Sequence, residues 1–187
     1  MKTFLVLVLS LVFLTQCSKT KDQSKSPTNG QSQQSNGQTV RWDKHNISFT
    51  VPADWTKDTS LSREDEKSGD KIIDGFAWRG PQDQRFESIV ETSDTDFPAS
   101  IEEMLTADYE SSKSGPVKLE DLRYVEINGM KGLYYRMPGE ESVNGNWITY
   151  RHYKGKAQLI GFTVHGQRKE LEHLNSILSS VKIENRE

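Results

Sequence analysis

The chain has 187 residues, of which 33% are hydrophobic and 27% are charged. Its 24 lysines and arginines nearly balance 27 aspartates and glutamates, which argues against a strongly basic nucleic-acid-binding protein and against an acidic disordered one. A single cysteine excludes an intrachain disulfide and any site with several thiolate ligands. The length suits one domain with appendages rather than two full domains.

The first segment has the order of an export signal. Lys2 supplies a positive start, and an apolar run of 11 residues follows from Phe4 to Leu14. A helix needs about 20 apolar residues to span a bilayer, so this run is too short for a stable anchor. We predict that residues 1–16 are a signal peptide. The alternatives are an uncleaved short anchor and an ordinary secretory signal whose cysteine is incidental.

The end of this run, Leu14-Thr15-Gln16-Cys17, resembles the lipobox of bacterial lipoproteins. The resemblance implies cleavage between Gln16 and Cys17 and acylation of Cys17, with fatty chains such as palmitate, through its nucleophilic thiolate. Two or more acyl chains hold a protein stably on a lipid bilayer. The expected location is therefore the bacterial cell envelope. Ser18 stands where some lipoproteins carry an aspartate that retains them at the inner membrane, so the outer membrane is favoured.

The next segment is a tether by composition. Residues 18–39 are rich in Ser and Gln and contain no aliphatic or aromatic side chain. Such a segment cannot bury enough apolar surface to offset the entropy of ordering it. We therefore divide the chain into a signal peptide (1–16), a lipidated Cys17 with a disordered polar tether (17–39), and one folded domain (40–187). A tether of this length has a reach of about 25 Å.

The first half of the domain reads as strands followed by a helix. Ile47, Phe49 and Val51 alternate with polar residues and predict a strand ending at Pro52. After a charged stretch from Ser62 to Asp70, strands are predicted over 71–79 and 86–92. Ser100 and Glu103 have the spacing of a capping box, so a helix is predicted over 100–112.

The second half reads as two hairpins and a closing helix. Asn128-Gly129 joins apolar runs at 122–127 and 130–137, and Lys154-Gly155 joins runs at 147–153 and 157–164. The closing helix follows from helical spacing of the apolar residues Leu171, Leu174, Leu178 and Val181. Consecutive hairpins demand an antiparallel sheet, and two one-sided helices must cover it. The predicted fold class is therefore α+β, with an antiparallel sheet covered by two helices.

Two stretches of the domain resemble a known family. The sequences HNISFTVPADW (His45 to Trp55) and HLNSILSSVKI (His173 to Ile183) look like parts of the PsbP-like α/β/α sandwich, which includes the DcrB-like envelope lipoproteins. In that family the fold mostly serves as an accessory or binding module, and no catalytic residue set is shared. The resemblance therefore implies a fold and a general role, but no site residue.

No catalytic or nucleotide-binding motif occurs in the sequence. His152 and His165 fall on the two strands of the second hairpin, which leaves open a minor hydrolase or a metal site built on them. The acidic pairs Glu102-Glu103 and Glu140-Glu141 point in different directions on a helix or strand, so a solvated surface is the simpler interpretation. We predict no metal and no cofactor.

The predicted strands are rich in aromatic residues: Trp78, Tyr134, Tyr135, Trp147, Tyr150 and Tyr153. In a sandwich with both sheet faces covered, most of these belong to the core. If a helix leaves part of the sheet bare, the remaining aromatic residues would form a partner surface.

These observations predict a lipid-anchored envelope protein that is not an enzyme, held on the bilayer by acylated Cys17. It is expected to serve as an accessory or binding module for another envelope component, with no role in nucleic-acid binding. A module that binds a small ligand in an apolar pocket between helix and sheet is one alternative. A minor hydrolase using His152 and His165 is the other.

Overall fold

The computed structural model describes residues 37–97, 99–139 and 141–184, which belong to one compact unit beginning at Asn36. The strands in this part of the chain are β1 (Gly37–Trp42), β2 (Ile47–Pro52), β3 (Thr56–Ser68), β4 (Lys71–Arg79), β5 (Arg85–Ser93), β6 (Glu120–Ile127), β7 (Met130–Pro138), β8 (Ser142–Tyr153), β9 (Lys156–Gln167) and β10 (Lys182–Ile183). The helices are α1 (Ile101–Ser114) and α2 (Leu171–Ser180). No helix among the described residues is long and apolar enough to cross a membrane.

Seven strands form a large antiparallel sheet in the order β3-β4-β5-β9-β8-β7-β6. The β6–β7 hairpin turns at Asn128-Gly129, and the β8–β9 hairpin turns at Lys154-Gly155. Each of these turn residues has a positive φ, which is the backbone conformation that the favoured two-residue hairpin turn requires. Both predicted hairpins are confirmed, with strands longer than the apolar runs suggested.

A second antiparallel sheet has the order β1-β2-β10 and lies, with α2, on one face of the large sheet. Its central strand buries Ile47, Phe49 and Val51, as their alternation predicted, against residues of the large sheet such as Phe86 and Trp147. The apolar side of α2 completes this core with Leu171, Leu174, Ile177 and Leu178.

The other face of the large sheet carries α1. Trp147 belongs to the first core and Tyr150 to a second one, and their odd spacing along β8 places them on opposite faces. Leu105 of α1 packs there on Leu133 and Tyr150. The helix starts at the predicted capping box, in which the Ser100 side chain accepts from the backbone N–H of Glu103. Because α1 packs against β6, β7 and β8, it covers only part of this face.

Three sequence-based expectations need correction. Residues 37–39, predicted as tether, are the first residues of β1 and pair with β2. The charged stretch from Ser62 was predicted to separate strands, but most of it lies in β3, a largely exposed edge strand. The expectation that two helices cover the sheet holds in part, because the small sheet shares one face with α2 and α1 spans a minority of the strands on the other.

Candidate functional site

On the sheet face that carries α1, no described helix packs over the strands β3, β4 and β5. On the α1 side of the sheet, the strands β3, β4, β5, β9 and the start of β8 present charged, amide and hydroxyl groups. We call this surface the polar face and define it by Asp58, Arg79, Arg85, Glu87, Asn144, Asn146, Thr163 and His165. Neither hydrophobic core includes these side chains.

The register of three strands aligns six of these side chains in two rows. In one row Asn146 of β8 lies opposite Thr163 of β9, which lies opposite Glu87 of β5. In the other row Asn144 lies opposite His165, and His165 lies opposite Arg85. Because alternate residues of a strand share a face, both rows lie on the same side of the sheet.

Hydrogen bonds across the strands hold the polar face in place. Thr163 Oγ1 donates to Asn146 Oδ1 over 2.8 Å, and His165 Nδ1 lies 2.5 Å from Asn144 Oδ1. Arg85 forms an ion pair with Glu87 at 3.0 Å, with four-fifths of each side chain buried. A preorganised set of donors and acceptors of this kind binds a partner with little loss of side-chain freedom.

The electrostatics of the polar face follow from partial burial. Burial raises the pKa of Glu87, and the neighbouring Arg85 opposes this shift. Burial lowers the pKa of His165, and the positive charge of Arg85 lowers it further. His165 is therefore neutral at pH 7 and offers hydrogen-bonding groups rather than a charge.

At the margin of the polar face, α1 is joined to the sheet by a partly buried hydrogen bond. Tyr150 Oη donates to Asp108 Oδ2 over 2.5 Å. Burial and the nearby Asp108 carboxylate raise the pKa of Tyr150 well above its ordinary value. Burial raises the pKa of Asp108, and the hydrogen bond from Tyr150 opposes the shift. This contact fixes α1 beside the polar face.

The structure does not bring the two candidate catalytic histidines together. His152 lies opposite Ala157 near the hairpin turn, whereas His165 lies opposite Asn144 near the other end of the same strands. Eight strand residues separate the two positions, which corresponds to about 26 Å. His152 instead lies 3.4 Å from Asp96. The described residues also contain no cluster of three or more His, Cys, Asp or Glu that could hold a metal ion.

Both residues of the acidic pair Glu102-Glu103 have structural partners. Glu103 completes the capping box at the start of α1, and Glu102 forms an ion pair with Lys131 at 2.7 Å. Glu140 lies outside the described residues, as do Gln16 and Cys17, so the predicted cleavage and lipidation site stays a prediction.

Most of the aromatic residues singled out from the sequence belong to the cores. Tyr134, Trp147, Tyr150 and Tyr153 are buried. Tyr135 is half-buried and lies opposite Asn146 at the edge of the polar face. The part of this sheet face that α1 leaves uncovered is therefore not lined by these aromatic residues, apart from Tyr135 at its edge.

The predicted pocket between helix and sheet is a shallow groove. It lies between α2 and the strands β6 and β7, has a volume of about 220 Å³, and is lined by residues that include Arg123, Tyr134 and Leu178. Pockets for small molecules usually span about 300–1,000 Å³. The groove is smaller than this range, so it gives little support to the small-ligand alternative.

Sequence reasoning missed a buried polar network. His45 and Arg151 are almost completely buried, and Gln158 Nε2 lies 3.4 Å from His45 Nδ1. Arg151 donates to Gln158 Oε1 over 2.9 Å and to the backbone carbonyl of His45. The only signal in the sequence was an arginine at an inward-facing position of β8, between Thr149 and Tyr153. The network joins the small sheet to the large one.

Comparison with known proteins bears on the fold. No family model and no curated protein matches this sequence. Among solved structures, the chain is similar to PsbP from Synechocystis sp. PCC 6803, with 15% identity over 84% of this chain and 98% of that chain and a TM-score of 0.48. It is also similar to LpqN from Mycobacterium tuberculosis, with 14% identity over 79% of this chain and 90% of that chain and a TM-score of 0.51.

The likeness to LpqN shows a shared fold. The predicted fold is thereby confirmed at the level of architecture: an antiparallel sheet with helices on its faces.

Proposed function

We propose that this chain is a lipid-anchored accessory protein of the bacterial cell envelope, that it is not an enzyme, and that its polar face binds an envelope partner. The observation that carries the binding role is the part of the sheet face that α1 leaves uncovered. There, the Arg85–Glu87 ion pair within β5 and the hydrogen bond from Thr163 to Asn146 between β9 and β8 preorganise polar groups for contact with another polar surface. The mixed charges and amides favour a protein partner with complementary polar groups.

The envelope location rests on two supports. The sequence Leu14-Thr15-Gln16-Cys17 resembles a lipobox, and Ser18 favours the outer membrane. The structure of LpqN, which shares the fold, is described as that of a protein involved in cell envelope biogenesis. Both supports agree with a domain carried on a polar tether at a membrane surface.

The hydrogen-bond partners of the acid–base groups on the polar face support a non-enzymatic role. His165 is hydrogen-bonded to Asn144, and Glu87 is paired with Arg85. Neither group is hydrogen-bonded to a hydroxyl among the described residues, whereas covalent catalysis needs a nucleophile and a base within hydrogen-bonding reach. A binding surface accounts for this arrangement better than a catalytic one.

The anchor is tested by cell fractionation. Cys17→Ala should move the protein from the membrane fraction to the soluble fraction or leave an unprocessed precursor, whereas the matched control Ser18→Ala should stay at the membrane as a processed protein. If Cys17→Ala and the parent chain are processed and partitioned alike, the anchoring proposal is wrong.

The binding role is tested by site-specific photo-crosslinking in cells. A photoreactive amino acid in place of Thr163 should give a discrete adduct with an envelope protein, and the same amino acid in place of the exposed Lys118 should not. Adding Arg85→Glu to the Thr163 variant should abolish the adduct. An adduct that forms equally from both positions, or that survives Arg85→Glu, would count against the polar face as the binding surface.

A further inference from the structure

A second surface, separate from the polar face, lies between β1 and the β3–β4 pair. We call it the β1 groove. It has a volume of about 310 Å³. The residues that line it include Val40, Arg41, Trp42, Lys57, Arg63 and Phe76. It lies on the opposite side of the large sheet from the polar face, where the small sheet packs.

The groove runs along the outer edge of β1. Val40 and Trp42 pack towards the core, whereas Arg41 between them is exposed. A groove that contacts all three consecutive residues must follow the edge of the strand rather than one of its faces. Within the described residues β1 pairs only with β2, so its other edge carries backbone N–H and C=O groups with no strand partner.

The floor of the groove is apolar and aromatic. The rings of Trp42 and Phe76 are in edge-to-face contact with centroids 4.6 Å apart, and Trp78 lies beside them. These aromatic residues are half-buried, which leaves part of each ring open to the groove. An apolar side chain inserted here would bury surface on three rings.

The rim of the groove is positive although the domain is acidic. Arg41 and Lys57 are exposed and form no ion pair with the described residues, whereas the exposed Arg63 lies 3.6 Å from Glu66. Lys44 is already held by Asp65 and Asp74. Among the groove residues Glu64 is the one exposed acid. In residues 40–187, by contrast, 26 carboxylate side chains outnumber 20 lysines and arginines.

We propose that the β1 groove binds an extended acidic peptide segment of another protein, which adds as a strand to the free edge of β1. The backbone of the segment would pair with β1, as in other cases of strand addition. Because side chains alternate along a strand, its apolar residues would face Trp42 and Phe76 while its acidic residues lie on the side of Arg41.

Two other occupants fit the charge pattern less well. Residues 18–36 of the same chain carry three lysines and one aspartate, so they have the same charge sign as the rim. A second copy of the chain that paired β1 with β1 would bring the positive rims of the two grooves together. Like charges placed opposite each other on paired strands are unfavourable.

The first test measures charge preference with defined probes. The full chain in non-ionic detergent is titrated with the blocked peptide EVEFEVE and with its charge-reversed form KVKFKVK, and binding is followed by tryptophan emission, since Trp42 and Trp78 line the groove. EVEFEVE should bind at least tenfold more tightly. The double variant Arg41→Glu and Arg63→Glu should reverse the preference, whereas the exposed control Lys169→Glu should not change it.

The second test distinguishes strand addition from loose electrostatic binding. N-methylation at alternate residues of EVEFEVE removes the hydrogen-bond donors of one edge of the peptide strand. Methylation of one edge should abolish binding, and methylation of the other edge should leave it intact. Equal binding of EVEFEVE and KVKFKVK, or equal effects of methylating either edge, would overturn the proposal.

This inference does not depend on the lipid anchor or on the polar face. If the peptide fails to bind while the Thr163 adduct forms in cells, the groove proposal fails and the proposed function stands. If EVEFEVE binds more tightly than KVKFKVK while no adduct forms from Thr163, the groove proposal stands and the proposed binding role of the polar face fails.

Discussion

His45 Nε2 lies 2.9 Å from Asp74 Oδ2, and both residues are almost completely buried. His45 lies in the connection between β1 and β2, and Asp74 lies in β4, so this contact links the two sheets. The backbone N–H of Asp65 and the ammonium of Lys44 also donate to Asp74. These hydrogen bonds offset the free-energy cost of burying the Asp74 carboxylate.

This contact predicts that stability falls on acidification. Burial lowers the pKa of His45 below 6.5, although Asp74 opposes the shift. Below pH 6.5 the unfolded chain therefore binds a proton that the folded chain does not, and the free energy of unfolding falls as the pH falls further. His165 contributes in the same direction. Asp74, whose pKa is lowered by its hydrogen bonds, adds a further loss only below about pH 3.8.

Urea denaturation between pH 7.5 and pH 5 measures this effect. His45→Gln should lower stability at pH 7.5, because Asp74 loses a partner, but should have a shallower pH dependence than the parent chain. A parental slope in His45→Gln would show that another group carries the pH dependence.

Arg151 should be among the most important polar residues for stability. Only 1% of the residue is exposed, and it donates to Gln158 and to the backbone carbonyls of His45 and Glu184. Burial lowers its pKa to about 10, so it remains charged at pH 7. Arg151→Ala should cost about 3 kcal/mol or more, because it leaves a cavity and buried acceptors without donors.

The matched control for this prediction is Arg123→Ala. Arg123 is more than half exposed and is paired with Asp121 at 3.0 Å, and such surface pairs contribute about 1 kcal/mol or less. Equal losses in the two variants, measured by urea denaturation at pH 7.5, would show that the buried network is not a stabilising link between the sheets.

The pKa of Asp108 tests the hydrogen bond that joins α1 to the sheet. Tyr150→Phe removes the donor that lowers the pKa of Asp108, while the burial that raises this pKa remains. The pKa of Asp108, followed by NMR of its side-chain carboxyl carbon, should therefore rise in the variant. An unchanged or lower value would mean that the hydroxyl of Tyr150 does not donate to this carboxylate in solution.

The capping box at the start of α1 should contribute to the stability of the protein. Ser100→Ala removes the side chain that accepts from the backbone N–H of Glu103 and should cost about 1 kcal/mol of stability. Ser111→Ala, inside the same helix, should cost less because alanine has the higher helix propensity. A smaller loss for Ser100→Ala than for Ser111→Ala would contradict the role of the capping box.

Local signals made much of the fold predictable. The Asn128-Gly129 step, the Ser100–Glu103 capping box and the alternation of Ile47, Phe49 and Val51 each depend on neighbours in sequence, and each marked an element correctly. The strand β3 was missed because its charged side chains are exposed on a sheet edge, where burial imposes no pattern. The strand β10, only two residues long, is too short to show periodicity.

Long-range relationships were not predictable in the same way. Alternation in β2 indicates one buried face, but not that the strand belongs to a separate small sheet. The polar face gathers Glu87, Asn146 and Thr163 from three strands whose register the sequence does not state. The β1 groove likewise depends on how Arg41 and Phe76, far apart in sequence, are placed by the packing of two sheets.

The proposal that this domain is held at a membrane by fatty chains is tested most directly by mass spectrometry of the mature amino terminus. The account predicts a chain that begins at Cys17 and carries a diacylglycerol on its sulfur, with no peptide from residues 1–16. A mature protein that retains Met1, or one with an unmodified Cys17, would contradict it.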